Sequence, residues 1–160
     1  MFYGFIAVIG IFLGVIISRF TKDEFKQGSL YFKILEIIIL LVLTFITIKI
    51  NFNYLLFIFG FIMGFFVRYE YFYFGVSIVN TILVKDFNFL ISSLVFLYGL
   101  PFGTLLNLKN IKSVILQIVL FLLPVVLYFL NFNLISFCSG ALLFISLLKI
   151  HKLLNFNLKH

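Results

Sequence analysis

The 160-residue chain has no tryptophan, one cysteine, two prolines, two histidines and only five acidic residues. Each scarcity removes a class of chemistry. A lone Cys138 forms no internal disulfide and no paired-thiol redox or zinc site, so it reads as a small packing residue. His151 and His160 stand nine residues apart near the end of the chain, with no Cys or acid beside them to complete a metal site. The acids Asp23, Glu24, Glu36, Glu70 and Asp86 fall in loops or near the ends of apolar stretches. No two of them share a helical face within a stretch, as a metal-dependent lipid transferase or an intramembrane aspartyl protease requires. A nucleophile elbow and a phosphate-binding glycine loop are also missing. The expectation is therefore a non-enzyme with no catalytic residues, no metal and no cofactor.

Long polar segments are scarce too. Hydrophobic residues make up 64% of the chain and charged residues 11%, and the mean hydropathy is +1.28. An ordinary soluble domain has roughly 45–50% and 25%, so this chain has too little polar surface to cover a core in water. The formal charge of +7 comes from 12 basic residues that lie at the ends of apolar runs. There they act as topology signals and contacts to anionic lipid, not as a nucleic-acid surface. Membrane lipids are the expected partners, with other membrane subunits or self-association as further partners and no nucleic acid. The 25 phenylalanines, beside only two alanines, read as lipid-facing or packed surface.

What is present is a rhythm. Asn51-Phe52-Asn53, Asp86-Phe87-Asn88 and Asn131-Phe132-Asn133 recur at spacings of 35 and 45 residues, each between two apolar stretches. The predicted stretches are 2–18, 34–50, 54–67, 71–84, 89–106, 113–130 and 134–150. The third and fourth, at about 14 residues or some 21 Å of helix, are short for a 30 Å hydrocarbon core. Merging them would bury Arg68 and Glu70 mid-helix and split the basic residues six against five between the two sides. Keeping them separate puts Arg19, Lys22, Lys26, Lys33, Arg68, Lys109, Lys112, Lys149, Lys152 and Lys159 on one side and only Lys49 and Lys85 on the other. Basic residues in short loops favour the cytoplasm, so the separate reading is preferred.

The expected fold is an all-α integral membrane protein of about seven transmembrane helices, an N-terminal helix plus three helical hairpins. Residues 1–150 form one transmembrane domain and 151–160 a short cytoplasmic tail. The N-terminus is expected outside the plasma membrane. Seven tyrosines fall near predicted span ends, where amphipathic rings prefer to sit; Tyr98 alone is mid-span. Gly10/Gly14, Gly60/Gly64, Gly99/Gly103 and Ser136/Gly140 place small residues four apart in helices one, three, five and seven. Such residues let helix backbones meet, which suggests an inner layer of odd-numbered helices and an outer layer of even ones.

Function is less legible. In Tyr98-Gly99-Leu100-Pro101-Phe102-Gly103-Thr104 a proline lies between two glycines, and Pro101 cannot bond the carbonyl of Leu97. An opened helix there would draw donors from Asn80 and Gln117, grouping Tyr98, Pro101, Thr104, Asn80 and Gln117 as a neutral polar substrate site near mid-membrane. The first reading is a small permease or channel-like protein for a neutral or lipid-like solute. The alternative is a non-catalytic structural or assembly subunit of a larger membrane complex. A lipid-modifying enzyme comes third.

Overall fold

The computed structural model describes residues 2–20, 25–82, 85–106, 111–130 and 133–157. These form seven α-helices and one 3₁₀ segment, with no strand among the described residues. The helices are α1 (Phe2–Phe20), α2 (Phe25–Ile50), α3 (Tyr54–Phe66), α4 (Glu70–Asn80), α5 (Lys85–Leu106), α6 (Ile111–Leu122) and α7 (Ile135–Asn157), and α6 continues into the 3₁₀ segment Leu123–Leu130. Three apolar stretches, Gly28–Ile50, Phe87–Leu106 and Ile135–Asn155, are long and apolar enough to cross a membrane. The chain is thus an all-helical membrane protein. Of the turns and loop charges read from the sequence, Lys22, Asp23, Glu24, Lys109, Asn131, Phe132 and Lys159 lie outside the described residues.

Two parallel helix pairs set the frame. In the first, α1 lies along α5, with Gly10 against the Phe96 carbonyl and Gly14 against Gly99, Leu100 and Gly103. In the second, α3 lies along α7, with Gly60 and Gly140 at the seam and Gly64 against Ala141. A Cβ at Gly10, Gly14, Gly60, Gly99, Gly103 or Gly140 would overlap the backbone of the facing helix. That closeness is what glycine provides in lipid, where dispersion and packing replace the hydrophobic effect. Helix α2 runs antiparallel to α7 and joins the two pairs. In its N-terminal half Glu36 meets Lys149, and just past its end Ser136 Oγ donates to the Asn51 carbonyl and accepts from the Asn53 amide, both at 2.8 Å.

The layering differs from the expected one. The most enclosed helix is α4, even-numbered, whose residues Glu70, Tyr71 and Tyr73–Ile78 are all buried. Helix α3, odd-numbered, buries only Gly60 and Gly64. At 11 residues, or some 16 Å, α4 is shorter than the stretch 71–84 read from the sequence and fits inside the bundle. Tyr71 and Tyr73 are fully buried; Tyr31, Tyr54 and Tyr69 are exposed. Helices joined by a turn are not the main packing partners, so the hairpins are features of chain order, while the large interfaces are α1 with α5 and α3 with α7.

Polar side chains close the ends of these elements. Asn53 caps α3, its Oδ1 accepting from the amides of Leu55 (3.1 Å) and Leu56 (3.3 Å). At the C-terminus of α4, three carbonyls gain side-chain donors. Asn80 Nδ2 bonds Val76 O, Thr81 Oγ1 bonds Ser77 O, and Asn88 Nδ2 bonds Ile78 O, at 2.8, 2.9 and 2.8 Å. A helix that ends inside a membrane protein needs such donors because no water reaches it. Asp86-Phe87-Asn88, expected as a turn, instead falls within α5, which begins at Lys85.

Candidate functional site

Where α2, α4, α5 and α7 converge, the bundle buries an ammonium between two carboxylates. Lys149 Nζ of α7 lies 2.6 Å from Glu36 Oε2 of α2 and 3.1 Å from Glu70 Oε1 in the first turn of α4. It also donates to the Tyr98 hydroxyl of α5 at 2.6 Å and lies 5.1 and 5.6 Å from the ring centres of Tyr98 and Phe102. The side chains of Glu36 and Glu70 are 6% and 8% exposed, that of Lys149 22%. Glu70 also sits where the positive end of the α4 dipole favours a carboxylate.

Aromatic packing holds these groups in register. Tyr98 stacks on Phe102, with centroids 5.5 Å apart, and meets Phe74 edge-on at 5.0 Å. Tyr71, beside Glu70, touches Phe74, Tyr98, Phe102 and Phe121. Glu36, Glu70, Tyr98 and Lys149 thus come from four helices and are fixed by a buried ring cluster.

A cavity of about 360 Å³ adjoins the cluster between α2, α5 and α7. Glu36 and Lys149 form part of its wall, Ile37, Phe102, Leu105 and Leu153 supply apolar surface, and Lys33 and Lys152 add two exposed cations. Glu36 bonds Lys149 through Oε2 alone; its Oε1 is buried without a hydrogen-bond donor. A buried acceptor left unmade costs about 1–3 kcal/mol, more when charged. A second cavity of about 240 Å³, lined by Gly4, Val8, Gly75, Ile78, Phe121 and others, is almost wholly apolar.

The residues singled out from the sequence have separate partners. Helix α5 runs unbroken through Pro101, so the expected opening is not formed, and Thr104 Oγ1 donates to the Pro101 carbonyl at 2.6 Å. Asn80 is occupied at both ends of its amide, donating to Val76 O and accepting from the Leu134 amide at 2.9 Å. Gln117 is buried in α6 with Oε1 unpartnered. Among the described hydrogen bonds, none joins any two of Tyr98, Thr104, Asn80 and Gln117. Only Tyr98 belongs to the charged cluster. Glu36, Glu70 and Lys149 were passed over because each stands near the end of an apolar stretch, where a charge reads as a boundary. The signal available was that Glu36 and Lys149, of opposite sign, both fall inside their predicted stretches, and a charge within a span asks for a partner.

Among the described residues, no three His, Cys, Asp or Glu side chains converge as a metal site would need. Comparison of the chain with known protein families, with curated proteins and with solved structures finds no match.

Proposed function

We propose that the chain is a small permease for a lipid-like solute, which it takes up at the cavity between α2, α5 and α7. The observation that carries this reading is Lys149 held between Glu36 and Glu70 inside the bundle, next to a cavity with apolar walls. Ionisable residues within a membrane bundle are costly to keep and mark solute or ion pathways. An apolar wall beside a charged floor suits a solute that is itself amphipathic. The neutral form of the solute reading has less support, since Asn80 is already occupied by backbone.

Reconstitution into vesicles carrying a trace of tail-labelled fluorescent phospholipid tests this reading. The expected result is exchange of label between leaflets well above that of protein-free vesicles, and a fall of about tenfold in Glu36→Gln, equivalent to ~1.4 kcal/mol. No exchange by folded wild-type protein would reject the permease and leave the role of a non-catalytic assembly subunit.

Seven crossings remain the preferred topology, with the Asn51–Asn53 turn outside and the Glu36–Glu70–Lys149 end at the cytoplasmic face of the plasma membrane. Two observations support it: Asn51, Asn53 and Ser136 meet at one end of α2 and α7, and Arg68, Lys33, Lys149 and Lys152 lie toward the other. In a Cys138→Ser background, Phe52→Cys is expected to react with an impermeant maleimide from outside the cell and Lys152→Cys only after permeabilisation. The opposite pattern would invert the orientation, and labelling of both from outside would remove the alternating topology.

A further inference from the structure

An ammonium has three N–H donors, and those of Lys149 are all taken. They go to Glu36 Oε2 at 2.6 Å, Glu70 Oε1 at 3.1 Å and the Tyr98 hydroxyl at 2.6 Å. The charges of the cluster do not balance, since one cation faces two carboxylates and one negative charge is left over. The other titratable groups of these helices nearby are Lys33 on α2, Tyr71 on α4 and Lys152 on α7. The two lysines lie at the rim of the cavity, and Tyr71 is buried beside Glu70. The two acids are not equivalent. Glu36 forms part of the cavity wall, whereas Glu70 is not among the described wall residues. Glu70 stands in the first turn of α4, where the helix dipole favours its charge. Lys149 is also in the wall, and its side chain is 22% exposed.

We infer that this cavity takes an anionic amphiphile, with its head on Lys149, together with one proton on Glu36. The inference rests on the reading of this cavity as the solute site and names the solute's charge and its co-ion. Because the donors of Lys149 are all engaged, an anion gains one only when a carboxylate gives one up. A proton taken from water by Glu36 turns the carboxylate into a neutral carboxyl, and no other covalent bond changes. Hydrogen bonds between two charged partners are roughly twice as strong as neutral ones, so the neutral carboxyl holds the ammonium less firmly. The side chain of Lys149, already in the wall, then turns its ammonium toward the cavity. Glu70 stays ionised. An anion entering alone would add a second unbalanced negative charge to the cluster, at a Coulombic cost that grows as the dielectric constant falls. An anion entering with a proton adds none. Ile37, Phe102, Leu105 and Leu153 offer apolar wall to the tail. Lys149 itself repels a cationic solute.

Calorimetric titration of the full chain in nanodiscs of uncharged lipid, with empty nanodiscs as the blank, tests the inference. The probes are octyl sulfonate, octanol and octylammonium. A sulfonate stays ionised at every pH used, so any proton taken up on binding is the protein's. Titrations in two buffers of different ionisation heat are expected to show close to one proton taken up per sulfonate bound. Affinity for the sulfonate is expected to fall as pH rises, by up to about tenfold per unit, because the bound form holds the extra proton. Octanol is expected to bind at least about tenfold more weakly with no proton uptake, and octylammonium not to bind. Glu36→Gln, fixed in a neutral form, is expected to bind the sulfonate at least as tightly as wild-type protein, with no proton uptake. Sulfonate binding to wild-type protein without proton uptake would overturn the coupling yet leave the solute site standing. Proton uptake that persists in Glu36→Gln would overturn the role of Glu36. Octanol binding as tightly as the sulfonate would overturn the anion site and leave a neutral lipid-like solute. Octylammonium binding more tightly than the sulfonate would reverse the sign of the solute. No binding of any probe would remove the solute site itself. Should Glu36→Gln fail to fold, the proton count and pH dependence of wild-type protein still decide the coupling.

Discussion

Lys149→Met is expected to destabilise the protein by about 3–5 kcal/mol, the scale for removing one partner from a buried ion pair. The substitution keeps most of the side-chain volume but withdraws the ammonium that faces Glu36 and Glu70. Two carboxylates, only 6% and 8% exposed, are then left without their cation. The Tyr98 hydroxyl loses its donor as well. The triple variant Lys149→Met, Glu36→Gln, Glu70→Gln removes both signs together and is expected to recover most of the loss, because buried ion pairs exchanged for neutral groups of similar shape are often close to neutral. If the cluster exists for function, the triple variant folds but does not move lipid. Unfolding midpoints in detergent check the first part and the vesicle assay the second. An unchanged midpoint for Lys149→Met would show that the ammonium does not hold the carboxylates, and lipid exchange by the triple variant would reduce the cluster to a packing element.

Gly60→Ala is expected to be as damaging, at about 3 kcal/mol or more, for a steric reason. Its added methyl would overlap the Phe137 carbonyl, which belongs to the backbone of α7 and cannot rotate away. Helix α3 would have to lift off α7 along its length, and the glycine seam is its main attachment. Gly64→Ala is milder, since the nearest atom, the Ala141 carbonyl oxygen, would stand 3.0 Å from the new carbon. Gly4→Ala meets nothing closer than 4.0 Å, and alanine's helix preference makes it neutral or stabilising by up to ~1 kcal/mol. Folded yield by gel filtration and unfolding midpoint should therefore rank Gly4→Ala above Gly64→Ala above Gly60→Ala. Equal tolerance of all three would mean that α3 and α7 do not meet at that seam.

The membrane environment was legible because it depends on totals, and mean hydropathy and scarce charge are totals. The glycine seams were legible because a four-residue spacing is local and puts both residues on one helix face. What the sequence left obscure depends on which helix meets which. Asn80 read as a donor to a mid-membrane site. In the fold it stands at the end of a short enclosed helix, where it and Thr81 tie up carbonyls. Side-chain caps on a helix enclosed by its neighbours leave no mark in a hydropathy profile, which shows only where apolar residues stop. Lys149 was counted as a topology signal because its partners Glu36 and Glu70 are 113 and 79 positions away in the chain. Opposite charges so far apart look like two boundaries until the helices that carry them are placed side by side.

The interleaving of the two parallel pairs has a bearing on biogenesis. Neither α1 nor α3 has its seam partner in the next helix made; α1 waits for α5, and α3 waits for α7. A chain emerging N-terminus first therefore inserts α1 to α4 before either glycine seam can close. Contacts of such long sequence separation are slow to form. Until α7 has been made, Gly60 and Gly64 face lipid or a temporary companion, and the two carboxylates at Glu36 and Glu70 have no Lys149 to meet. The charged cluster therefore waits for α7, so a chain cut before α7 lacks it.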